Sequence, residues 1–188
     1  MMVLNLDNAI YRLVNQELTN PWLDTIMFYF SDKYFWIPFY LIVIALLIKS
    51  YGKKSSVLIV CLILSAVLSD RFTSGVMKPY FNRTRPCHVA ELHPRIIEGV
   101  HCSDTGSMAS SHAANHFAVA IFMIMLYGWS KKSNTIFWLS WAAAVSYSRV
   151  YLGVHYPSDV LVGAIVGSFI GWLCYNLYLK SLNQLKWV

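Results

Sequence analysis

Residues 148–159, SRVYLGVHYPSD, place an arginine, a histidine and an aspartate between two long apolar runs. Pro157 suits the first turn of a helix, so the spacing predicts that His155 and Asp159 lie one turn apart. A carboxylate beside an imidazole fixes the tautomer of the ring and stabilises positive charge on it. The stretch therefore predicts a turn that presents His155 as a nucleophile. Taken alone, it also fits an interfacial histidine bonded to a helix end.

The composition around this stretch is that of a membrane protein. Hydrophobic residues make up 57% of the 188 residues, charged residues make up 13%, and the mean hydropathy is +0.49. Ordinary soluble domains have about 45–50% and about 25% of these residue classes. The net charge of +6 is spread over short loops, so no nucleic-acid partner is expected. We predict a single all-α domain over 1–188 that lies in a lipid bilayer.

The apolar runs predict the helices. Five apolar runs are long, and most have a length near the ~20 residues that a helix needs to cross a bilayer. They cover 34–49, 55–76, 112–129, 134–151 and 156–179. A sixth run, 21–32, is shorter and carries Asp24 and Asp32; it either spans the membrane with the help of its neighbours or only dips into it. Apolar residues at helical spacing in 1–20 predict an amphipathic helix on the membrane surface. The pattern predicts a polytopic bundle of about six transmembrane helices, an N-terminal interfacial helix and an outer loop over 77–111.

Lysines mark one side of this bundle. They fall in two connections and the tail, at Lys49, Lys53, Lys54, Lys131, Lys132, Lys180 and Lys186. Because basic loops stay on the cytoplasmic side, the segment 77–111 and the turn at 150–156 are expected on the opposite face. In a bacterial inner membrane that face is the periplasm or cell exterior, and in an internal eukaryotic membrane it is the lumen.

Two cysteines bracket the outer loop. Cys87 and Cys102 would close a loop of about 15 residues as a disulfide in an oxidising compartment. The alternative is a metal site that these cysteines form with His88 and His101, although the spacing matches no common zinc pattern.

A basic cluster follows the run at 55–76. With Arg149, Lys78 and Arg85 are expected to hold the non-bridging oxygens of a phosphate, because guanidinium groups offer paired donors. The alternative is a cluster that snorkels among lipid headgroups. We interpret Arg83 and Arg95 as headgroup residues of that kind alone.

A polar triplet opens the run at 112–129. Hydroxyls and free amides at a helix N-terminus bind anions, so Ser110 and Ser111 are candidate phosphate ligands. His112 is placed to protonate a departing oxygen. Simple capping by either serine is the alternative, and His116, one turn further, is interpreted as structural.

The order and spacing of these stretches resemble the type 2 phosphatidic acid phosphatase superfamily over roughly residues 55–175. Its pattern is Lys, six residues, Arg-Pro; then Pro-Ser-Gly-His; then Ser-Arg, five residues, His, three residues, Asp. The fully matching residues are Lys78, Arg85 and Pro86 in the first element, and Ser148, Arg149, His155 and Asp159 in the third. The second element keeps Ser110 and His112, but Ala109 and Ser111 replace the proline and the glycine.

The resemblance implies a metal-independent phosphatase without a cofactor. His155 would attack phosphorus and form a phosphohistidine, Asp159 would orient it, and His112 would protonate the leaving group. The residues implied to bind the phosphoryl oxygens are Lys78, Arg85, Ser110, Ser111 and Arg149.

Membrane embedding favours a lipid substrate. The resemblance implies lipid A 1-phosphate, undecaprenyl diphosphate, phosphatidylglycerol phosphate or phosphatidic acid, and the short chain is typical of small bacterial members that act on the first two. A lipid phosphotransferase that uses the same intermediate and a catalytically silent lipid-phosphate-binding protein are the alternatives. Oligomeric state stays open.

One stripe of small residues is separate from this chemistry. Gly163, Gly167 and Gly171 recur every four residues in the last run. Such a stripe lets another helix approach closely. We interpret it as an internal helix contact, with a dimer seam as the alternative.

Overall fold

The computed structural model describes residues 2–185, and over this part of the chain the fold is all-helical, as predicted. Lys186 lies outside the described residues. The helices are α1 (Met2–Arg12, continued by a π-helical turn Leu13–Glu17), α2 (Pro21–Ser31), α3 (Ile37–Tyr51), α4 (Ser55–Phe72, continued by a π-helical turn Thr73–Met77), α5 (Lys78–Phe81), α6 (Ser111–Tyr127), α7 (Lys132–Tyr151) and α8 (Pro157–Gln184).

Among the described residues, two helical segments are long and apolar enough to cross a membrane, judged by length and composition: 37–81 and 157–184. The first turns back at Gly52, whose φ of +53° ends α3. Helix α6 is apolar but shorter, and α2, at 11 residues, reaches only about 16 Å of a hydrocarbon layer that is about 30 Å thick. The count of six transmembrane helices stays a prediction.

Helix α8 packs directly against the backbone of α6 along the glycine stripe. A Cβ atom built on Gly163 would lie 2.5 Å from the carbonyl oxygen of Ser110. Cβ atoms on Gly167 and Gly171 would overlap the backbone carbonyls of Ala114 and Ala118. The stripe is therefore an internal helix contact, and the dimer-seam alternative is wrong because this face is already occupied.

The helices α3, α4, α6, α7 and α8 run alternately, so their ends separate into two groups. The turn 51–54, the loop 128–131 and the C-terminal end of α8 form what we call the lysine end. At the opposite end, α5 stops, α6 begins, and α7 meets α8 through residues 152–156. We call this the loop end, because the segment 82–110 covers it. That segment is shorter than the predicted loop 77–111, since α5 and α6 extend into its two ends.

The amphipathic helix predicted over 1–20 is present over 2–17, and it lies across the loop end. Its inner side combines apolar and polar groups. Tyr11 and Val14 are buried in the hydrophobic core. Asn15 is fully buried and donates to the backbone oxygens of Tyr151 (2.7 Å) and Arg95 (2.9 Å). Its apolar side, with Leu6 and Ile10, is exposed. This orientation suits a helix that rests in the membrane interface.

In the segment 82–110, Cys87 and Cys102 are joined as a disulfide. His88 Nε2 lies 3.3 Å from the sulfur of Cys102, but two sulfurs that are bonded to each other are not thiolate ligands. The structure therefore agrees with the disulfide. The ligand atoms of Cys87, His88 and Cys102 lie within 4.8 Å of one another, so the metal alternative would require both cysteines in the reduced form. His101, the fourth residue of that alternative, lines a cavity at the loop end instead.

Candidate active site

A cavity of about 640 Å³ begins at the loop end and continues between α3 and α4. Six of the eight predicted site residues line it: Lys78, Arg85, Ser111, His112, Arg149 and His155. The other two, Ser110 and Asp159, are fully buried behind its wall. The structure thus brings together side chains from three distant stretches of sequence.

Away from these polar residues the cavity is apolar. We call this part the apolar arm; its residues include Val43, Ile44, Ile59, Leu62, Ile63 and Val67. Ile63 and Val67, on α4, remain 53% and 46% exposed. The arm is therefore open along the side of the helix bundle and not only at its end.

The start of α8 holds the histidine and the aspartate in the predicted relationship. Pro157 occupies the first turn, and Asp159 Oδ2 accepts the backbone N–H of Tyr156 at 2.9 Å, which caps the helix. The same oxygen lies 3.4 Å from Nδ1 of His155. Since a carboxylate only accepts, Nδ1 carries the proton and Nε2 keeps its lone pair. This tautomer is the one that a nucleophilic Nε2 requires.

Arg85 is fixed against that lone pair. Its NH1 group lies 3.2 Å from His155 Nε2 and donates to the backbone oxygen of Val154 at 3.1 Å. Its Nε group donates to the backbone oxygen of Thr105 at 2.9 Å. Only 5% of Arg85 is exposed. An anion bound by Arg85 would consequently lie against Nε2.

Burial sets the charge state of this corner. Desolvation is the main cause that lowers the pKa of His155 to about 4, although the hydrogen bond with Asp159 opposes the shift. The imidazole is therefore neutral at pH 7. Burial also lowers the pKa of Arg85, which remains charged because a guanidinium titrates far above neutral pH.

The interpretation of Arg83 as a headgroup residue is wrong, because its guanidinium binds two carboxylates. Burial opposes its charge, but hydrogen bonds and charge interactions with Asp7 and Asp159 raise its pKa above the ordinary value. Its NH1 donates to Asp159 Oδ1 at 2.7 Å, and its NH2 donates to Asp7 Oδ2 at 2.6 Å. Its guanidinium carbon also lies 3.8 Å from the ring centre of Tyr156. The residue is a partner of Asp159, the candidate catalytic carboxylate.

The interpretation of Arg95 as a headgroup residue is wrong as well. Its guanidinium forms an ion pair with Asp24 on α2. Asp24 also accepts the hydroxyl of Tyr151 at 2.5 Å. The long-range pair joins the outer segment to α2 because an acid on one element faces a base on the other.

The neighbouring residues Ser110 and Ser111 make different contacts. Ser110 accepts the backbone N–H of Ala113 at 3.5 Å, and its own N–H donates to the backbone oxygen of Asp159 at 3.0 Å. It caps α6, as the capping alternative holds, and its contact with a phosphate stays a prediction. Ser111 lines the cavity, where its hydroxyl lies 2.9 Å from that of Thr73 and 3.1 Å from that of Ser74.

His112 and His116 follow on α6. His112 lines the polar part of the cavity, which suits a proton donor. His116 Nδ1 donates to the backbone oxygen of His112 at 2.8 Å, and its Nε2 lies 3.4 Å from the hydroxyl of Tyr40. Both ring nitrogens of His116 are occupied, in agreement with the structural interpretation.

Two cations in the cavity keep unused donors. Arg149 donates to the hydroxyl of Ser31, but its Nε is buried without a hydrogen-bond partner in the described part of the chain. Lys78 forms no ion pair with any described residue. Buried donors without partners are rare in proteins, so these groups favour an anionic ligand.

Sequence reasoning missed Arg83, Thr105 and Ser107. The hydroxyl of Ser107 donates to Asp159, and Thr105 holds Arg85 through its backbone oxygen and its hydroxyl. No local pattern marks these partners, which lie 20 to 76 residues from the groups that they contact.

The sequence pattern of the PAP2 superfamily matches residues 56–182. The chain belongs to the PAP2 superfamily. It is a membrane protein and a phosphatase. The matched segment contains every residue of the candidate site.

Relatives in the PAP2 superfamily include a lipid A 4'-phosphatase of Bacteroides thetaiotaomicron, 36% identical over 172 residues that make up 89% of this chain and 75% of that protein. An undecaprenyl-diphosphatase of Sulfolobus acidocaldarius is 29% identical, over 94% of this chain and 80% of that protein.

Among solved structures, the crystal structure of Aquifex aeolicus LpxE is similar with a TM-score of 0.68 and 26% identity, over 91% of this chain and 95% of that chain. A PAP2-type phosphatidylglycerolphosphate phosphatase from Bacillus subtilis has the same TM-score at 24% identity, over 95% of this chain and 87% of that chain. The second likeness shows a shared fold only.

Proposed function

We propose that this protein hydrolyses a lipid phosphate through a phosphohistidine on His155. The observation that carries the proposal is the position of Nε2, which faces a cavity with cations at one end and the apolar arm at the other. A phosphorylated lipid has the same two parts in the same order. The relatives that are named as lipid phosphatases support this substrate class.

The first step is attack of His155 Nε2 on phosphorus. The N–P bond forms as the bond from phosphorus to the lipid oxygen breaks, and His112 gives that oxygen its proton. Asp159 stabilises the positive charge that develops on the ring. Lys78, Arg85, Arg149 and Ser111 are placed to bind the phosphoryl oxygens as charge develops on them.

The second step is hydrolysis of the phosphohistidine. Water, which His112 deprotonates in its turn, attacks phosphorus as the N–P bond breaks. Inorganic phosphate leaves and Nε2 recovers its lone pair. His112 thereby regains the proton that it gave up in the first step.

We propose that the reaction needs no metal ion. Lys78, Arg85 and Arg149 supply three positive charges where phosphoryl transfer in other enzymes often uses a divalent cation. Hydrolysis should accordingly continue at an unchanged rate in a chelator such as EDTA.

Two of the candidate substrates are supported by named relatives. Lipid A phosphate is supported by the lipid A 4'-phosphatases of Bacteroides thetaiotaomicron and Porphyromonas gingivalis, and undecaprenyl diphosphate by the relative from Sulfolobus acidocaldarius. We place lipid A phosphate first, because the relative that is 36% identical is named a lipid A 4'-phosphatase. That name favours the 4'-phosphate over the 1-phosphate that the sequence predicts.

We also propose that the protein lies in a bacterial inner membrane with the loop end towards the periplasm. The lysine end carries Lys53, Lys54, Lys131 and Lys132, and basic loops favour the cytoplasmic side. The disulfide at the loop end supports this orientation, since disulfides persist in oxidising compartments.

Phosphate release tests the proposed function. Purified protein would be assayed with lipid A, undecaprenyl diphosphate, phosphatidylglycerol phosphate and phosphatidic acid, next to His155→Ala, His112→Ala and a His93→Ala control. His93 is an outer-segment histidine that does not line the cavity. Release by the wild type and by His93→Ala, with loss in His155→Ala, is the expected result. Full activity of His155→Ala would overturn the mechanism.

A further inference from the structure

Two polar side chains line the cavity one helical turn deeper than the phosphate-binding groups. They are Asp70 on α4 and Asn115 on α6. The hydroxyl of Ser111 lies within hydrogen-bond distance of Thr73 and Ser74, so α4 and α6 are level with each other at that point. Asp70 precedes Ser74 by four residues and Asn115 follows Ser111 by four.

These offsets place both side chains at one depth. Helix α4 runs towards the loop end and α6 runs away from it. A step of four residues back along α4 and a step of four residues forward along α6 therefore lead equally far into the bundle. The distance along the helix axis is about 6 Å in each case. Asp70 and Asn115 form a layer between the phosphate-binding residues and the apolar arm.

Within the described residues neither side chain has a close hydrogen-bonding partner for its acceptor oxygens. Asp70 forms no ion pair there and its carboxylate accepts no hydrogen bond; it interacts with the charge of Lys78, eight residues further along the chain, through space only. The side-chain oxygen of Asn115 is buried and has no hydrogen-bond partner in the same part of the chain. A buried acceptor without a partner is costly, so native proteins usually provide a donor.

In the proposed reaction this layer surrounds the group that carries the leaving oxygen. The phosphoryl group lies at His155 and the lipid chains lie in the apolar arm, which leaves the headgroup beside Asp70 and Asn115. Acceptors in this position bind hydroxyl, amide N–H or ammonium groups. An acylated amino sugar offers such donors next to its phosphate, whereas a polyprenyl chain offers none.

The charge of Asp70 separates two classes of substrate further. When a polyprenyl diphosphate is cleaved, the leaving group is itself a phosphate, and it would lie beside the carboxylate. Like charges at short distance repel, and more strongly in a partly buried site than in water. The layer thus favours a sugar-linked phosphate monoester over a diphosphate.

We propose that Asp70 and Asn115 form a headgroup subsite that binds hydrogen-bond donors of a phosphorylated sugar lipid and disfavours polyprenyl diphosphates. This inference rests on the proposed lipid phosphatase function. It assigns these residues to substrate selection, with no part in the phosphoryl-transfer chemistry itself.

The test compares kcat/KM for lipid A with kcat/KM for undecaprenyl diphosphate. The variants are Asp70→Asn and Asn115→Leu, which keep the approximate side-chain volume. Asp104→Asn is the matched control, because it removes the same charge from a fully exposed side chain outside the cavity. In each subsite variant the ratio of the two kcat/KM values should fall about tenfold or more, since the site loses contacts to substrate donors. Asp104→Asn should keep the wild-type ratio.

A ratio that stays within about twofold of the wild-type value in both subsite variants would overturn the proposal, by comparison with the discrimination expected of a hydrogen-bonding site. Binding gives a second readout that needs no catalysis. Lipid A from which the phosphates have been removed should raise the thermal midpoint of the wild type more than that of Asp70→Asn. Equal stabilisation would contradict the subsite. If the wild type hydrolysed none of the four lipid phosphates, the proposed function would fail, and the binding comparison would still decide on the subsite.

Discussion

Arg83 and Asp159 are directly bonded: the guanidinium NH1 donates to Oδ1 of the carboxylate at 2.7 Å. Asp159 uses its other oxygen for His155. Through NH2, the same guanidinium holds Asp7 of the surface helix α1 at 2.6 Å. The orientation of the proposed nucleophile therefore depends on a partner outside the three stretches that the sequence marks, and that partner connects it to α1.

Removal of Arg83 should lower kcat more than it raises KM. The Arg83→Ala variant leaves Oδ1 of Asp159 without its charged partner, so the carboxylate is less well fixed beside His155. By analogy with the outer partners of metal-bound histidines, the cost is about tenfold to a hundredfold. Steady-state kinetics with a lipid phosphate measure it.

Arg95→Ala is the matched control for this change. It also removes an arginine from the outer segment, but the partner of Arg95 is Asp24 and not Asp159. Its kcat should stay near the wild-type value. Equal losses of kcat in the two variants would show that both arginines act through the headgroup surface, contrary to the structure.

His155 should remain neutral well below the pH at which ordinary histidines gain a proton. Its pKa is lowered to about 4, mainly by burial, against about 6.5 for an exposed imidazole. The unfolded chain then takes up the proton first, so this group reduces stability as the pH falls from about 6.5 towards about 4.

Nitrogen NMR of histidine-labelled protein can follow the ring directly, with His155→Ala to assign its signals. We expect the Nδ1–H tautomer to persist from pH 8 to pH 5, consistent with the pKa shift. A protonation midpoint near 6.5, the ordinary value, would disagree with the burial that the structure gives this residue.

Loss of the Cys87–Cys102 disulfide should reduce both stability and activity. The bond spans 15 residues, and a loop of this length contributes about 3 kcal/mol in the chain-entropy model. Thr105, which holds Arg85, follows three residues after Cys102. Reduction of the disulfide should therefore loosen the segment whose Thr105 holds Arg85, and so lower kcat/KM.

The comparison is between wild type and Cys87→Ser/Cys102→Ser, each assayed with and without dithiothreitol. Reductant should lower kcat/KM of the wild type to the level of the double variant and leave the double variant unchanged. Cys61 and Cys174 are buried free thiols, so reductant has no other bond to break. A wild type that is insensitive to reductant would rule out this support of Arg85.

The glycine stripe gives a prediction about stability alone. Gly167→Ala puts a methyl group into the backbone carbonyl of Ala114, so α8 and α6 must separate. Overpacking of this kind costs about 1–3 kcal/mol. Gly75→Ala is the control, since no atom lies within 4 Å of its added methyl group. Thermal midpoints in detergent should fall for Gly167→Ala and hold for Gly75→Ala; equal shifts would contradict the close helix contact.

Local spacing carried much of the candidate site. Helix geometry fixes which side chains come into contact within one or two turns. This covers the i to i+4 step from His155 to Asp159, the proline at the start of α8 and the serine at the start of α6. The same holds for Gly163, Gly167 and Gly171, which recur at the spacing that aligns them on one helix face.

The remaining parts depend on packing between distant segments. Arg83 reaches both Asp7 and Asp159 over 76 residues in either direction, and only the placement of α1 across the loop end makes that bridge. Ser110 and Ser111 are adjacent and chemically identical, yet one is buried as a cap and the other lines the cavity. Spacing alone does not distinguish such cases, because burial is a property of the assembled bundle.

The most direct test of the mechanism is capture of the phosphorylated enzyme. Protein would be mixed with lipid A radiolabelled in its phosphates, quenched in alkali within milliseconds to preserve a phosphohistidine, digested and sequenced by mass spectrometry. We expect label on His155 in the wild type, and neither label nor turnover in His155→Ala. Turnover by His155→Ala, or label on another residue of the wild type, would contradict the mechanism.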